Sequence, residues 1–412
     1  MRRLLIPEGA TPDAARLLTA RALRGFADGM VSVLLASYLS DLGFSPGKIG
    51  VIITATLLGS AALTLLVGLA GFRLKPRLIL LGGCALMFAT GVGFTGVTDF
   101  WPLLLIAFAG TLNPSAGDVS VFLPTEQALL TQTVEGRARV ALFARYNLGG
   151  LFLGAFGALV SGVPVTIARD QGWDLLDAQR TGFVIYAAVA VVIALLYMRL
   201  SPDLDPRQVA AGPLVKSRGI VLRLTALFSM DSFGSGFFVQ SLLALWLFER
   251  YGISVETAGA VFFAAGLLSA LSQLASPWLA ERIGLIKTMV YTHIPANIFL
   301  IIAAFMPNAP LAITFLMLRT FLSTMDVPAR QAYVMAVVPP EERTAAASVT
   351  NVPRSLASAL SPALAGAMLA WTSFGWPLVI GGAIKVLYDV LLLVQFQNLK
   401  PDEEPAVQVV TS

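Results

Sequence analysis

Ionised side chains lie inside long apolar stretches of this chain, and their spacing gathers them onto helical faces. Arg21, Arg24, Asp28 and Ser32 follow one another at intervals of three, four and four residues, which stacks them on one side of a helix. Thr111, Ser115 and Asp118 form a second stripe, interrupted by Asn113-Pro114. Arg319, Ser323, Asp326 and Arg330 form a third. A charge at mid-bilayer costs at least about 2.5–3.5 kcal/mol, so such groups turn toward a bundle interior or a wet cavity. Asp28, Asp118 and Asp326 are carboxylates that could load and release a proton, because burial and a nearby cation pull a carboxyl in opposite directions. Arg319 offers a planar, bidentate donor for a carboxylate or phosphate. Arg24, Ser32, Thr111, Asn113, Ser115, Gln240 and Ser323 could contact a polar solute, with Arg24 also tuning Asp28. A structural alternative stands beside each reading: Asp28 in an ion pair near a membrane surface, Arg319 paired internally with Asp326.

Other charges call for other chemistry. Glu126, Arg330, Arg145 and Arg354 fall toward the ends of their apolar runs and read as gates. Asp231 reads as a surface charge beside Gly234 and Gly236, glycines that would let a helix bend. Lys385 and Asp389 are four apart, the spacing of a structural ion pair. His293 is the only histidine and Cys84 the only cysteine. The first argues against a transition-metal site and the second excludes an intrachain disulfide. No cofactor is implied. The chain carries no G-x-x-x-x-G-K-[ST] loop for nucleotide hydrolysis. A lipid-modifying membrane enzyme would need a base or nucleophile that a lone histidine does not supply. A non-transporting receptor would have no use for a polar interior.

The elements that must position these residues are apolar helices. The chain is 57% apolar and only 13% charged, against about 25% charged in a soluble domain. Twelve continuous apolar segments approach the roughly 20 residues that a crossing helix needs: 18–41, 46–71, 76–98, 101–122, 138–163, 180–200, 220–248, 255–280, 286–306, 309–333, 344–371 and 376–397. Lys and Arg concentrate at the termini and in the loops after even-numbered spans, which makes both termini cytoplasmic. The net charge of +4 reflects that asymmetry and not nucleic-acid binding. The first segments are also repeated. Gly25, Gly43, Ser45, Gly50, Ala55 and Ser60 recur 209 positions later as Gly234, Gly252, Ser254, Gly259, Ala264 and Ser269. Two six-helix halves, 1–200 and 220–397, flank a Pro-rich cytoplasmic linker at 201–219, and a polar, disordered tail occupies 398–412. Doubled six-helix architecture is the layout of transporters that rock about a central site.

Further motifs sharpen the repeat. Pro124, Gln127 and Ala128 form P-x-x-Q-A, and Pro328, Gln331 and Ala332 form it again 204 positions on. The polar stripes of the same spans are displaced by 208, so the fourth span holds one extra turn or a bulge before Pro124. Glu135 with Arg137, and Glu342 with Arg343, open the helices that follow. Between spans eight and nine stands Pro277-Trp-Leu-Ala-Glu281-Arg282-Ile-Gly284-Leu-Ile-Lys287. Over essentially its whole length the chain resembles the major facilitator superfamily, whose loop signature is Gly-x-x-x-acid-Arg-x-Gly-x-x-base. The equivalent loop between spans two and three has Phe72 where the acid belongs.

The resemblance implies twelve helices in two pseudo-symmetric bundles, with spans 1, 4, 7 and 10 lining a central cavity and 3, 6, 9 and 12 outside it. It makes Glu281 and Arg282 latch residues and places His293 outside the cavity. The expected function is alternating-access transport of a small polar, zwitterionic or anionic organic solute, driven by protons and performed by a monomer in a bacterial inner membrane. Export of amphipathic drugs is the alternative, though the fifth span has Gly149, Gly150, Gly154 and Gly157 without the antiporters' proline.

Overall fold

A computed structural model describes residues 11–70, 74–115, 121–134, 138–202, 204, 215–339 and 342–397. Asp118, Phe72, Glu135, the expected bulge before Pro124, most of the linker and the tail lie outside these residues. The described chain forms sixteen helices and no strand. They are α1 (Pro12–Asp41), α2 (Pro46–Ala70), α3 (Pro76–Gly96), α4 (Phe100–Ala109), α5 (Phe122–Leu130), α6 (Ala138–Val160), α7 (Val163–Gln171) and α8 (Leu175–Met198). The second half supplies α9 (Arg218–Gly236), α10 (Gln240–Tyr251), α11 (Val255–Ile283), α12 (Leu285–Ala304), α13 (Ala309–Ser323), α14 (Asp326–Ala336), α15 (Arg343–Trp371) and α16 (Trp376–Phe396). Among the described residues, nine helical stretches are long and apolar enough to cross a membrane.

Helix ends follow local chemistry. Proline opens α1, α2 and α3, where its missing N–H costs nothing. Asp174 and Asn308 cap α8 and α13 by accepting from Leu176 N and Leu311 N at 2.8 and 3.1 Å. Gly284 takes φ +85° in the turn between α11 and α12, a conformation that favours glycine. The Glu342 carboxylate accepts from the backbone N–H groups of Val215, Lys216 and Ser217 at 3.0, 2.8 and 3.0 Å, and from the Ser217 hydroxyl at 2.5 Å. It thereby fixes the entry into α9. These bonds, led by that from the Ser217 side chain, push its carboxyl down to about 2.

Two of the apolar spans are broken. In the fourth span, whose polar stripe Asn113-Pro114 interrupts, the helix stops at Ala109, and residues 110–113 are not helical. Gly110, Asn113 and Pro114 are all poor helix formers, and proline disfavours the helical region for the residue before it. The seventh span divides at Gly236, and α10 starts again at Gln240.

Packing gathers the chain into two compact units. Unit 1 takes Met1–Gln208 with Phe238–Leu267 and Ala359–Ser373; unit 2 takes Val209–Phe237, Leu268–Ser358 and Phe374–Ser412. In unit 1, α1 is the enclosed helix, with Met30, Val31, Leu34, Leu35 and Tyr38 fully buried. It lies against α6 through glycine on both sides. A Cβ on Gly29 would stand 1.9 Å from Gly154 O, and one on Gly25 would stand 2.3 Å from Gly150 O. In lipid the hydrophobic effect gives helices no reason to associate, so backbone approach of this kind carries the packing. The repeat shows in the contacts as well. Gly50 meets the backbone of Pro362 and Gly366, and its mate Gly259 meets that of Ala158. In unit 2, Phe228, Met289, Val290, Tyr333, Tyr388, Leu392 and Phe396 form the apolar core around a buried set of charges.

Candidate functional site

In unit 1 the polar residues of span 1 meet the break in span 4. Asp28 is 5% exposed and forms no ion pair among the described residues. Asn113 is within hydrogen-bonding reach of its carboxyl, and Arg24 and Arg21 are the cations acting on it. The Ser115 hydroxyl donates to Asn113 Oδ1 at 2.7 Å. Unwound backbone at membrane depth must still find partners, and here it does. The Tyr186 hydroxyl donates to Thr111 O at 2.9 Å. Ser241 N donates to Pro114 O at 3.0 Å, and the Ser241 hydroxyl lies 2.6 Å from Ser32 O. Gln240, half-buried, is the first residue of α10 beside this point.

Ser241 is the repeat mate of Ser32, 209 positions on. The contact therefore joins a residue of span 1 to its mate in span 7, both inside unit 1. Ser241 was legible from the displacement that relates Gly25 to Gly234, had it been applied to the polar stripe. Tyr186, by contrast, carries no sequence signal that separates it from other tyrosines in apolar helices.

Arg24 acts on Asp28 electrostatically, but its direct ion-pair partner is another carboxylate. Its Nη2 lies 2.5 Å from Glu126 Oε2 on α5, and the two side chains are 2% and 0% exposed. Tyr146 and Tyr197 donate to the two Glu126 oxygens at 2.5 Å each. The guanidinium also lies 4.6 Å from the Phe122 ring centre. This closed pair ties spans 1, 4, 5 and 6 together, so Glu126, expected as a gate, has its partners inside one unit.

Unit 2 brings together residues that the sequence assigned separately. Asp231 is no surface charge: it is 3% exposed, and Lys385 Nζ lies 2.6 Å from its Oδ1 while Arg330 Nη1 lies 3.4 Å from its Oδ2. Arg330 also pairs with Asp326 at 3.0 Å. The expected Lys385–Asp389 pair does not form. Lys385 turns to Asp231 and to the Ser235 hydroxyl at 2.6 Å, and Asp389 is held by His293 at 2.9 Å. Lys385 and Asp389 share a face of α16, but each finds its partner on a neighbouring helix, Asp231 for Lys385 and the His293 ring for Asp389. Arg319 and Ser323 on α13 are half-buried, and Asp231 acts electrostatically on Arg319. Arg354 donates from Nε to the Ser232 hydroxyl at 3.2 Å. Arg145 is half-buried on α6. Glu281 and Arg282 are exposed, with Arg282 4.0 Å over the Trp278 ring.

Broken helices around buried polar groups, within a repeated bundle of apolar spans, define a membrane transporter rather than an enzyme. The family profile of the Major Facilitator Superfamily matches residues 17–321 and 224–410, and the chain belongs to that superfamily. It is 25% identical over 424 residues to the uncharacterized membrane protein YJR124C of Saccharomyces cerevisiae, covering 94% of each. It is 21% identical over 385 residues to the uncharacterized MFS-type transporter YceJ of Bacillus subtilis, covering 90% of this chain and 92% of that one. Its fold is similar to the nucleoside transporter NupG, with TM-score 0.72 and 14% identity over 94% of this chain and all of that one. It is also similar to the inward-open xylose transporter XylE from E. coli, with TM-score 0.71 and 14% identity over 96% and 98%.

Proposed function

We propose that this chain is a secondary active transporter that moves a small polar, zwitterionic or anionic organic solute by alternating access, with protons as the coupling ion. The observation that carries the reading is Asp28. It is a buried carboxylate without an ion-pair partner among the described residues, set beside the irregular backbone of span 4. A buried carboxylate without a salt bridge is the group for which gaining a proton removes most of the desolvation penalty. Asn113 reaches it, Ser115 bonds Asn113, and Thr111 and Gln240 flank the same irregular backbone or its Ser241 contact, so hydroxyls and amides suited to a hydroxylated or amide-bearing solute gather here. Within unit 2 by itself, Arg319 is a cation suited to a carboxylate or phosphate. The relatives with solved structures handle a nucleoside and a pentose, and both solute classes belong among the first candidates. The charge distribution supports cytoplasmic termini and residence in the cell membrane. Ser241 then closes on Ser32 and Pro114 at the solute site.

The test begins with thermal-shift screening of the purified protein at two pH values against nucleosides, pentoses, amino acids and organic anions. A stabilising solute is then followed into proteoliposomes under an imposed pH gradient. Asp28→Asn is expected to abolish gradient-driven accumulation while leaving expression and solute exchange intact. Unchanged accumulation in that variant refutes the carrier role.

A further inference from the structure

We propose that His293 and Asp389 form a second proton-binding site, in the C-terminal half, and that Asp231 reads its charge. The role in transport rests on the proton-coupled reading above; the site itself does not. His293 lies on α12 and Asp389 on α16. The ring Nδ1 is 2.9 and 3.0 Å from the two carboxylate oxygens, and Asn297 Nδ2, one turn along α12, is 3.3 Å from Oδ2. A nitrogen that close to a carboxylate carries the hydrogen, which leaves Nε2 as the position that gains or loses a proton. Nε2 faces Asp231 Oδ1 at 3.9 Å, beyond hydrogen-bonding distance but well within electrostatic reach. Both His293 and Asp389 are buried.

The surrounding charges make that proton consequential. In the directly bonded set, Asp231, Asp326 and Asp389 face Arg330 and Lys385, which leaves one negative charge over. An imidazolium cancels it. Arg319 on α13 and Arg354 on α15 face Asp231 from further out, and both act on it electrostatically. Tyr388 lays its ring edge-on to the imidazole at 6.1 Å. A proton on Nε2 brings a third cation to the Asp231 carboxylate, on the side of Oδ1, the oxygen that Lys385 holds. Lys385 also bonds Ser235, one residue before α9 ends at Gly236. Loading His293 therefore weakens the tie between α16 and the last turn before the break in span 7. Unloading restores it.

Because His293 is the only histidine, ¹⁵N-histidine labelling of the full chain, purified through a histidine-free tag into nanodiscs, reports this one imidazole. The expected result is a single protonation step within the pH range over which the protein stays folded. In Asp389→Asn, and in Asp231→Asn, the step moves to lower pH by about one unit or more, because a carboxylate that stabilises the imidazolium is gone. Asn297→Ala, which leaves every charge in place, moves it in the same direction by less. An imidazole that keeps one protonation state throughout, or a step that none of the three variants moves, overturns the site. Amide hydrogen exchange at residues 235–240 supplies the second readout. Its dependence on pH, beyond the intrinsic exchange rate, is expected to vanish in His293→Gln, and persistence there overturns the link to the span 7 break. If the imidazole titrates as described but a pH gradient drives no solute accumulation, the proton-coupled reading fails and the site stands. If accumulation is gradient-driven and the imidazole is silent, the site fails and coupling belongs to Asp28.

Discussion

Glu126 gives the sharpest separation between a gate and a keystone. Its carboxylate receives Arg24, Tyr146 and Tyr197 within 2.5 Å at zero exposure, three of the roughly four acceptor positions that a carboxylate has. Glu126→Gln keeps the shape and most of the tyrosine bonding but leaves the Arg24 guanidinium buried without its counter-ion. Breaking one side of a buried pair costs about 3–5 kcal/mol. For a unit of about 250 residues each kcal/mol shifts the melting midpoint by about 2–4 °C, so a loss of about 10 °C is expected in detergent. The double variant Arg24→Met/Glu126→Leu removes both charges from the same volume. Replacing a buried pair with apolar groups is often neutral or better, so the double variant is expected to recover more than half of that loss. The two tyrosine hydroxyls that it strands account for the remainder. A scanning-fluorimetry cycle of wild type, two singles and the double decides the matter. If Glu126→Gln melts within about 2 °C of wild type, or the double falls as far as the sum of the singles, the keystone argument is wrong and a gate between the halves becomes the better account.

Two further outcomes follow from the packing. Gly29→Ala sets a methyl group 1.9 Å from Gly154 O, where only backbone movement can relieve it, so the variant is expected to lose folded yield on size-exclusion chromatography. Gly149→Ala, one helix face away with its nearest neighbour at 4.0 Å, is the control and should behave as wild type. Glu342 predicts a pH effect. Its carboxyl, held near 2 in the fold, ordinarily titrates at about 4.3. The stabilisation is therefore fully present above about pH 5 and drains away as pH falls toward 2. Hydrogen exchange at residues 215–218 should rise over that window in wild type. In Glu342→Gln it should already be raised at neutral pH, and equal protection in the two proteins would refute the clasp.

Much of the scaffold was legible because the bilayer imposes simple demands on a sequence. Apolar runs of crossing length, the 209-residue displacement and the motif around Glu281 and Gly284 led to the family that the whole chain matches. Proline at 114 signalled irregular backbone in span 4, although a full break was needed to carry Thr111, Asn113 and Ser115 past Asp28. The stripe on span 1 named Arg24 and Asp28 as neighbours, but the direct ion pair of Arg24 is with Glu126 on another helix. Helical spacing tells which residues share a face, not which neighbouring helix supplies the nearest charge.

That distinction runs through the whole molecule. The sequence by itself determined that the chain spans a membrane, that its segments carry an internal repeat, and that most of the charges within them must turn inward, Asp231 being the exception that it read as a surface charge, since hydrocarbon penalises an exposed ion wherever it falls along a helix. Only the tertiary structure decided the partners: Glu126 for Arg24, Asp231 for Lys385, His293 for Asp389, Ser241 for its own mate Ser32. Coulombic and hydrogen-bond energies depend on distances of a few ångströms, and those distances come from glycine-to-backbone contacts between helices far apart in the chain. The spacing of residues along one helix does not contain them.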